Sequence, residues 1–154
     1  MTEHFATIRW QRGADVFARG RYSRRHQWTF DGGAAITASA SPHVVPAPWS
    51  DPSGVDPEEA YVAALSSCHM LWFLSLAAEQ GFVVDSYEDA AVGHMREVAP
   101  QRVSIAQVVL RPRIVFDPAS AATPQQVDAL HHAAHERCFL ANSVKTEIRV
   151  EPRN

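Results

Sequence analysis

Two cysteines, Cys68 in "LSSCHM" and Cys138 in "AHERCFLANS", are the only thiols in this 154-residue chain. Such residues can fill a core, hold a metal or react. Free cysteine is among the most buried residue types, so a purely structural role stands as one reading. Reaction with a peroxide asks for more. The attacking species is the thiolate, and a cysteine with a pKa near 8.5 is only a few per cent ionised at neutral pH. A nearby arginine would favour the anion, and a carboxylate could hold that guanidinium in a bidentate pair. The sulfenic acid formed must then be trapped by a second thiol within disulfide reach, for which Cys68 and Cys138 are the sole candidates. The metal reading uses His131, His135 and Cys138, spaced i, i+4 and i+7 on one helical face, with Cys68 as fourth ligand for zinc. Against it, neither CxxC nor HExxH occurs, and a stretch such as "HHAAHER" is more often a polar helix face.

The elements that must position these residues carry clear signals. Cys68 sits inside "AYVAALSSCHMLWFLSLAA" (60–78), nineteen residues without a charge. Asp56 is placed to cap, Pro57 suits the first helical position, Glu59 completes a capping box and Gly81 suits the exit. A helix from Pro57 to Gln80 would be about 36 Å long. That length exceeds what one small domain can surround, so its apolar faces are expected to meet a partner subunit. A second helix opens at Thr123-Pro124 with Gln126, carries Val127, Leu130, Ala134 and Cys138 at helical spacing, and is expected to end at Asn142. Alternation marks strands in "HFATIRWQ" (4–11) and "VKTEIRVE" (144–151). "FARGRY" and "HQWTFDGGAAITAS" add one or two more, turned at Gly32-Gly33. "FVVDSYEDAAVGHM" and "RVSIAQVVLRPRIVF" read as a long antiparallel pair joined near Pro100. Residues 41–57, with five of the ten prolines, form the one linker-like stretch, and the whole of 1–154 is expected to be a single domain.

"DPEEAYVAALSSCHMLWF", followed about seventy residues on by "AHERCFLANSVKTEI", resembles the OsmC/Ohr family (osmotically inducible protein C and organic hydroperoxide resistance protein). The resemblance covers residues 56 to 151, while the N-terminal third matches only in strand character. It implies an α+β fold with antiparallel sheets packed around the two long central helices of an intertwined homodimer. It also implies reduction of organic hydroperoxides by a reactive Cys68 and a resolving Cys138, with Glu58, ten residues before Cys68, orienting an arginine, and with a lipoyl-type dithiol as reductant. The linker before Glu58 has no arginine, so Arg19, Arg21, Arg24 and Arg25 of the N-terminal hairpin compete; Arg24, in the turn of "YSRRHQW", is favoured because Arg19 and Arg21 fall on an expected strand. His69 stands where the family usually has an aromatic residue and Phe139 where it commonly has proline. Ten residues on a straight helix put Glu58 about 15 Å along the axis from Cys68. Glu58 and Arg24 are therefore expected to serve the Cys68 of a two-fold partner. Met70, Trp72, Phe73 and Trp49 suit a bulky apolar tail or plain packing.

A net charge of −3 argues against a nucleic-acid partner. The opening "MTEHFATIRWQRG" lacks a secretory signal pattern, so a cytoplasmic location with reduced thiols is expected. Three serines and a histidine within 60–78, with Glu58, Glu59 and Glu79 flanking it and no nearby Lys or Arg, argue against a membrane span. No cofactor is implied.

Overall fold

The computed structural model describes residues 2–153. The chain divides between Ala60 and Tyr61 into two compact units. The first holds strands β1 (Ala6–Arg9), β2 (His26–Phe30) and β3 (Ala35–Ala38) in one antiparallel sheet of order β1-β2-β3. Ile8 lies opposite Trp28, and Trp28 opposite Ile36. Gly33, at φ 86°, takes the left-handed position of the β2–β3 turn. The strand expected over "FARGRY" is not formed. Phe17–Arg19 is a single 3-10 turn closed by Gly20 at φ 70°, leaving one bridge between Val16 and Arg21. The Phe17 ring closes on Trp10 and Tyr22, at 5.7 and 4.5 Å between centroids, which favours a tight turn over an extended segment. Arg19 is therefore not a strand residue. The proline-rich segment is a run of turns that ends with Val55 bridged in parallel to Ala38.

Helix α1 (Pro57–Glu79) starts at the capping box read from the sequence: the Glu59 N–H donates to Asp56 Oδ1 at 2.7 Å, and the Asp56 N–H to Glu59 Oε2 at 3.3 Å. Gly81, at φ 79°, provides the left-handed exit. Leu65, His69, Phe73, Leu76 and Ala77 are its buried residues, whereas Leu71 on the other side is 61% exposed. By length and composition α1 could cross a membrane; its apolar window has a mean hydropathy of 1.4 and is 28% buried within the chain.

In the second unit, β4 (Val84–Asp89) pairs with β7 (Pro112–Phe116), and β5 (Val92–Ala99) with β6 (Arg102–Leu110), each antiparallel. The long hairpin expected from the sequence is thus split into two sheets. Its breakpoint is chemical. Asp89 takes the Arg111 N–H on one carboxylate oxygen at 2.6 Å and the Ser66 hydroxyl of α1 on the other at 2.5 Å, so side-chain bonds replace the ladder there. β8 (Glu147–Val150) joins β6 in parallel, with Val108 opposite Ile148. Gly93 lets α1 approach this sheet, since a Cβ there would lie 2.7 Å from Val62 Cγ2.

Helix α2 (Pro124–Arg137) begins at the Thr123–Gln126 capping box, as its sequence implies. Leu130 and Ala134 pack with Phe73, Leu76 and Ala77 in one core, with β4 and β7 side chains against it. Leu65, Val108 and Leu110 form a second core under the β5-β6-β8 sheet. Truncating a side chain as enclosed as Phe73 costs about 3–5 kcal/mol. The helix ends five residues before Asn142, because Cys138 turns extended (φ −65°, ψ 112°). Asn142 still closes it from a following 3-10 turn by donating its side-chain amide to the Glu136 carbonyl at 2.9 Å.

Candidate functional site

Cys68 lies at the middle of α1 and is half-buried; Cys138 caps the C-terminus of α2 and is 1% exposed. Both are free thiols. The structure brings them close enough that Cys68 acts on the ionisation of the Cys138 thiol. Burial first, and the neighbouring Cys68 second, push Cys138 up to about 11, against the opposing effect of the Ala141 N–H, which donates to its sulfur at 3.4 Å. Cys138 therefore keeps its proton at neutral pH, and Cys68 is the sulfur that solvent reaches more easily. Such a pair can oxidise in an ordered way: Cys68 meets an oxidant first, and Cys138 waits as a protonated thiol in contact with it.

An apolar rim lies beside the pair. Trp72, one turn beyond Cys68, meets Phe139 edge-on at 5.5 Å, and the Arg137 guanidinium lies 5.8 Å from the Trp72 ring centroid. Phe139 is 70% exposed. Of the residues read as a possible tail pocket, Phe73 is wholly enclosed in the core and Trp49 belongs to the first unit, where its carbonyl accepts the Arg24 N–H at 2.9 Å.

The sequence-derived arginine and carboxylate are placed as follows. The Arg24 guanidinium donates to the carbonyls of Gly20 and Tyr22 at 2.8 and 2.6 Å and lies 3.6 Å over the Tyr22 ring. Arg25 pairs with Asp51 at 3.0 Å. Glu58 sits in the first turn of α1, and no ion pair between Glu58 and Arg24 is present among the described residues. Helix α1 runs unbroken from Glu58 to Cys68, so the axial separation of about 15 Å holds.

The zinc arrangement is not assembled: among the described residues no three His, Cys, Asp or Glu side chains converge as metal ligands. His131 faces His69 instead. Their rings stack at 5.3 Å and 11°, with His69 Nε2 and His131 Nδ1 3.0 Å apart. Sequence reading missed this pair, since a contact spanning sixty-two positions leaves no local signal. Burial pushes both imidazoles down to about 4; for His69 the neighbouring His131 and His135 add to it. The outer nitrogens, His69 Nδ1 and His131 Nε2, are buried without partners.

A family model described as OsmC-like protein matches residues 50–153. The chain belongs to the OsmC-like family. An OsmC-like protein of unknown function from Vibrio cholerae superposes on this OsmC-like chain with a TM-score of 0.96 at 54% identity, over 99% of this chain and all of the other. Two more distant folds match as well. The organic hydroperoxide resistance protein OsmC of Legionella pneumophila gives 0.69 at 15% identity, covering 99% and 96% of the two chains. The organic hydroperoxide resistance protein OhrB of Bacillus subtilis gives 0.68 at 17%, covering 99% and 98%. No curated protein sequence matches the chain. The α+β architecture expected from the resemblance is the one observed, and its fold is shared with the two proteins described as hydroperoxide resistance proteins.

Proposed function

We propose that this OsmC-like chain is a thiol-dependent peroxidase for organic hydroperoxides, working as a homodimer. The observation that carries the reading is the contact between a half-buried Cys68 and a buried, protonated Cys138 in a chain of this family. The Cys68 thiolate attacks the terminal peroxide oxygen; an S–O bond forms, the O–O bond breaks, and the departing alkoxide takes a proton to become the alcohol. Cys138 then attacks the Cys68 sulfenic acid. The S–S bond forms, and hydroxide leaves with the Cys138 proton as water. A dithiol reductant, of the lipoyl type that the resemblance suggests, restores both thiols by exchange. The exposed Trp72–Phe139 rim supports a substrate with an apolar body over hydrogen peroxide.

Glu58 and Arg24 enter on the resemblance alone, as a carboxylate and the guanidinium it orients toward a thiolate. The 61% exposure of Leu71 within the uncharged stretch 60–78 of α1 supports a partner subunit over this helix. A mass measurement after a pulse of an alkyl hydroperoxide tests the reading. Wild type is expected to lose two mass units by forming the Cys68–Cys138 disulfide, and oxidation confined to Cys138 would reverse the roles.

A further inference from the structure

A recess lies away from the thiols. It has a volume of about 640 Å³ and is lined by Tyr61, Val98, Arg102, Ser104, Ile105 and Lys145, with neither cysteine among its walls. This is within the range of small-molecule sites, roughly 300–1,000 Å³. Tyr61 lies seven residues before Cys68 on α1, about 10 Å along the helix axis.

Its chemistry is two-sided. Val98 and Ile105 supply an apolar wall, and Val98 is 53% exposed. Arg102 and Lys145 supply two cations, both exposed, and neither forms an ion pair among the described residues. The nearby carboxylates are engaged elsewhere. Glu97, opposite Val103 in the hairpin, accepts the Gln101 N–H at 3.0 Å, and Glu147 accepts from Gln107 and Arg149 at 2.9 and 2.8 Å. The Tyr61 hydroxyl, 2.7 Å from Thr146 Oγ1, fixes the inner wall, and Thr146 in turn donates to the Ile105 carbonyl at 2.8 Å. Two cations without counter-ions beside an open apolar wall, in a chain of net charge −3, call for a ligand that brings both a negative charge and a chain.

We propose that this cleft binds a single-chain carboxylate amphiphile. Arg102 and Lys145 hold the carboxylate, whose two oxygens fit the planar guanidinium fork, and Val98 and Ile105 cover the first carbons of the chain. The site is independent of the peroxidase reading, and its test uses no turnover.

The full-length Cys68→Ser protein is titrated with decanoate, decanol, acetate and inorganic phosphate by calorimetry and by backbone amide shifts. Decanoate is expected to saturate and to move the amides around Arg102 and Lys145, with decanol and acetate each at least tenfold weaker. Arg102→Gln and Lys145→Gln should each weaken decanoate by about three- to tenfold, while Arg102→Lys keeps part of the affinity. Added salt should weaken decanoate and leave decanol unchanged. Equal binding of decanol, equal binding of phosphate, or no effect of the two glutamine variants each overturns the proposal. So does a cleft closed by a second copy of the chain, in which decanoate binds only as the oligomer dissociates.

Discussion

Two side-chain pairs are built between the same two helices, and they have opposite characters. Cys68 and His69 are neighbours on α1; their partners Cys138 and His131 stand seven residues apart along α2 and its cap. One step along α1 turns a side chain by about 100°, enough to move it from a half-open position into the core. The cysteine pair is placed at a helix end, with solvent access to Cys68 and a proton retained on Cys138. The histidine pair is enclosed, 1% and 5% exposed, held neutral by burial, and leaves two nitrogens unpartnered. Reactivity needs a gradient of exposure across a contact, whereas a contact enclosed at both ends contributes shape and a liability to acid.

The sharpest break between the pairs is chemical. Cys68→Ser should reduce organic hydroperoxide consumption to the uncatalysed background, measured by peroxide loss with a dithiol present. Cys138→Ser should permit about one equivalent and leave Cys68 as a sulfenic or more oxidised acid by mass spectrometry. Replacing both histidines, His69→Phe with His131→Leu, should leave consumption at pH 7.5 within about threefold, because an apolar pair of similar volume replaces a half-satisfied polar one. A loss as large as that of Cys68→Ser would erase the distinction.

Acid comes next in size. Each histidine titrates near 6.5 when unfolded and near 4 when folded, so between those values the unfolded chain binds more protons. Stability is therefore fully present above about pH 6.5 and falls as the pH drops toward 4. The loss should reach about 3 kcal/mol, less than two independent groups would give because the rings are coupled. Urea midpoints at pH 7.5, 5.5 and 4.5 measure it, and the double apolar variant should flatten the slope.

Two smaller effects sharpen the cysteine side. Arg24→Ala should slow alkylation of Cys68 several-fold at pH 6.5 and hardly at pH 9, if the guanidinium favours the thiolate. Equal loss at both values would confine Arg24 to peroxide binding, and no loss would remove it from the site. Mixing Cys68→Ser with Glu58→Ala under subunit exchange should restore activity when the site is shared between chains, and restore none when it is built within one. The smallest effect is structural: Asp56→Ala should cost about 1 kcal/mol by removing the α1 cap, measured by thermal unfolding.

The legible part of the molecule was that written in short-range chemistry. Asp56, Pro57, Glu59 and Gly81 bracketed α1 to within a residue, and Thr123 with Gln126 opened α2 as expected. The thiol contact was legible because the chain has just two cysteines to pair. What stayed hidden depends on distant partners. The split at Asp89 requires Ser66 and Arg111 to arrive together, the turn at Phe17 requires Trp10 and Tyr22, and the His69–His131 stack requires both helices in place.

Time enters through the parallel pairing of β8 with β6. β5 and β6 are joined across Pro100 and Gln101, a closure completed in microseconds, but β8 must return over about forty residues to lie beside β6. Cys138 stands within that returning stretch. In any order of folding in which that stretch docks after α1 has formed, Cys68 stands for a time without Cys138 beside it. Under the proposed peroxidase chemistry, an oxidant met then finds no thiol to trap the sulfenic acid. Under that chemistry, the docking of α2 and β8 completes the protection of the sulfur together with the sheet.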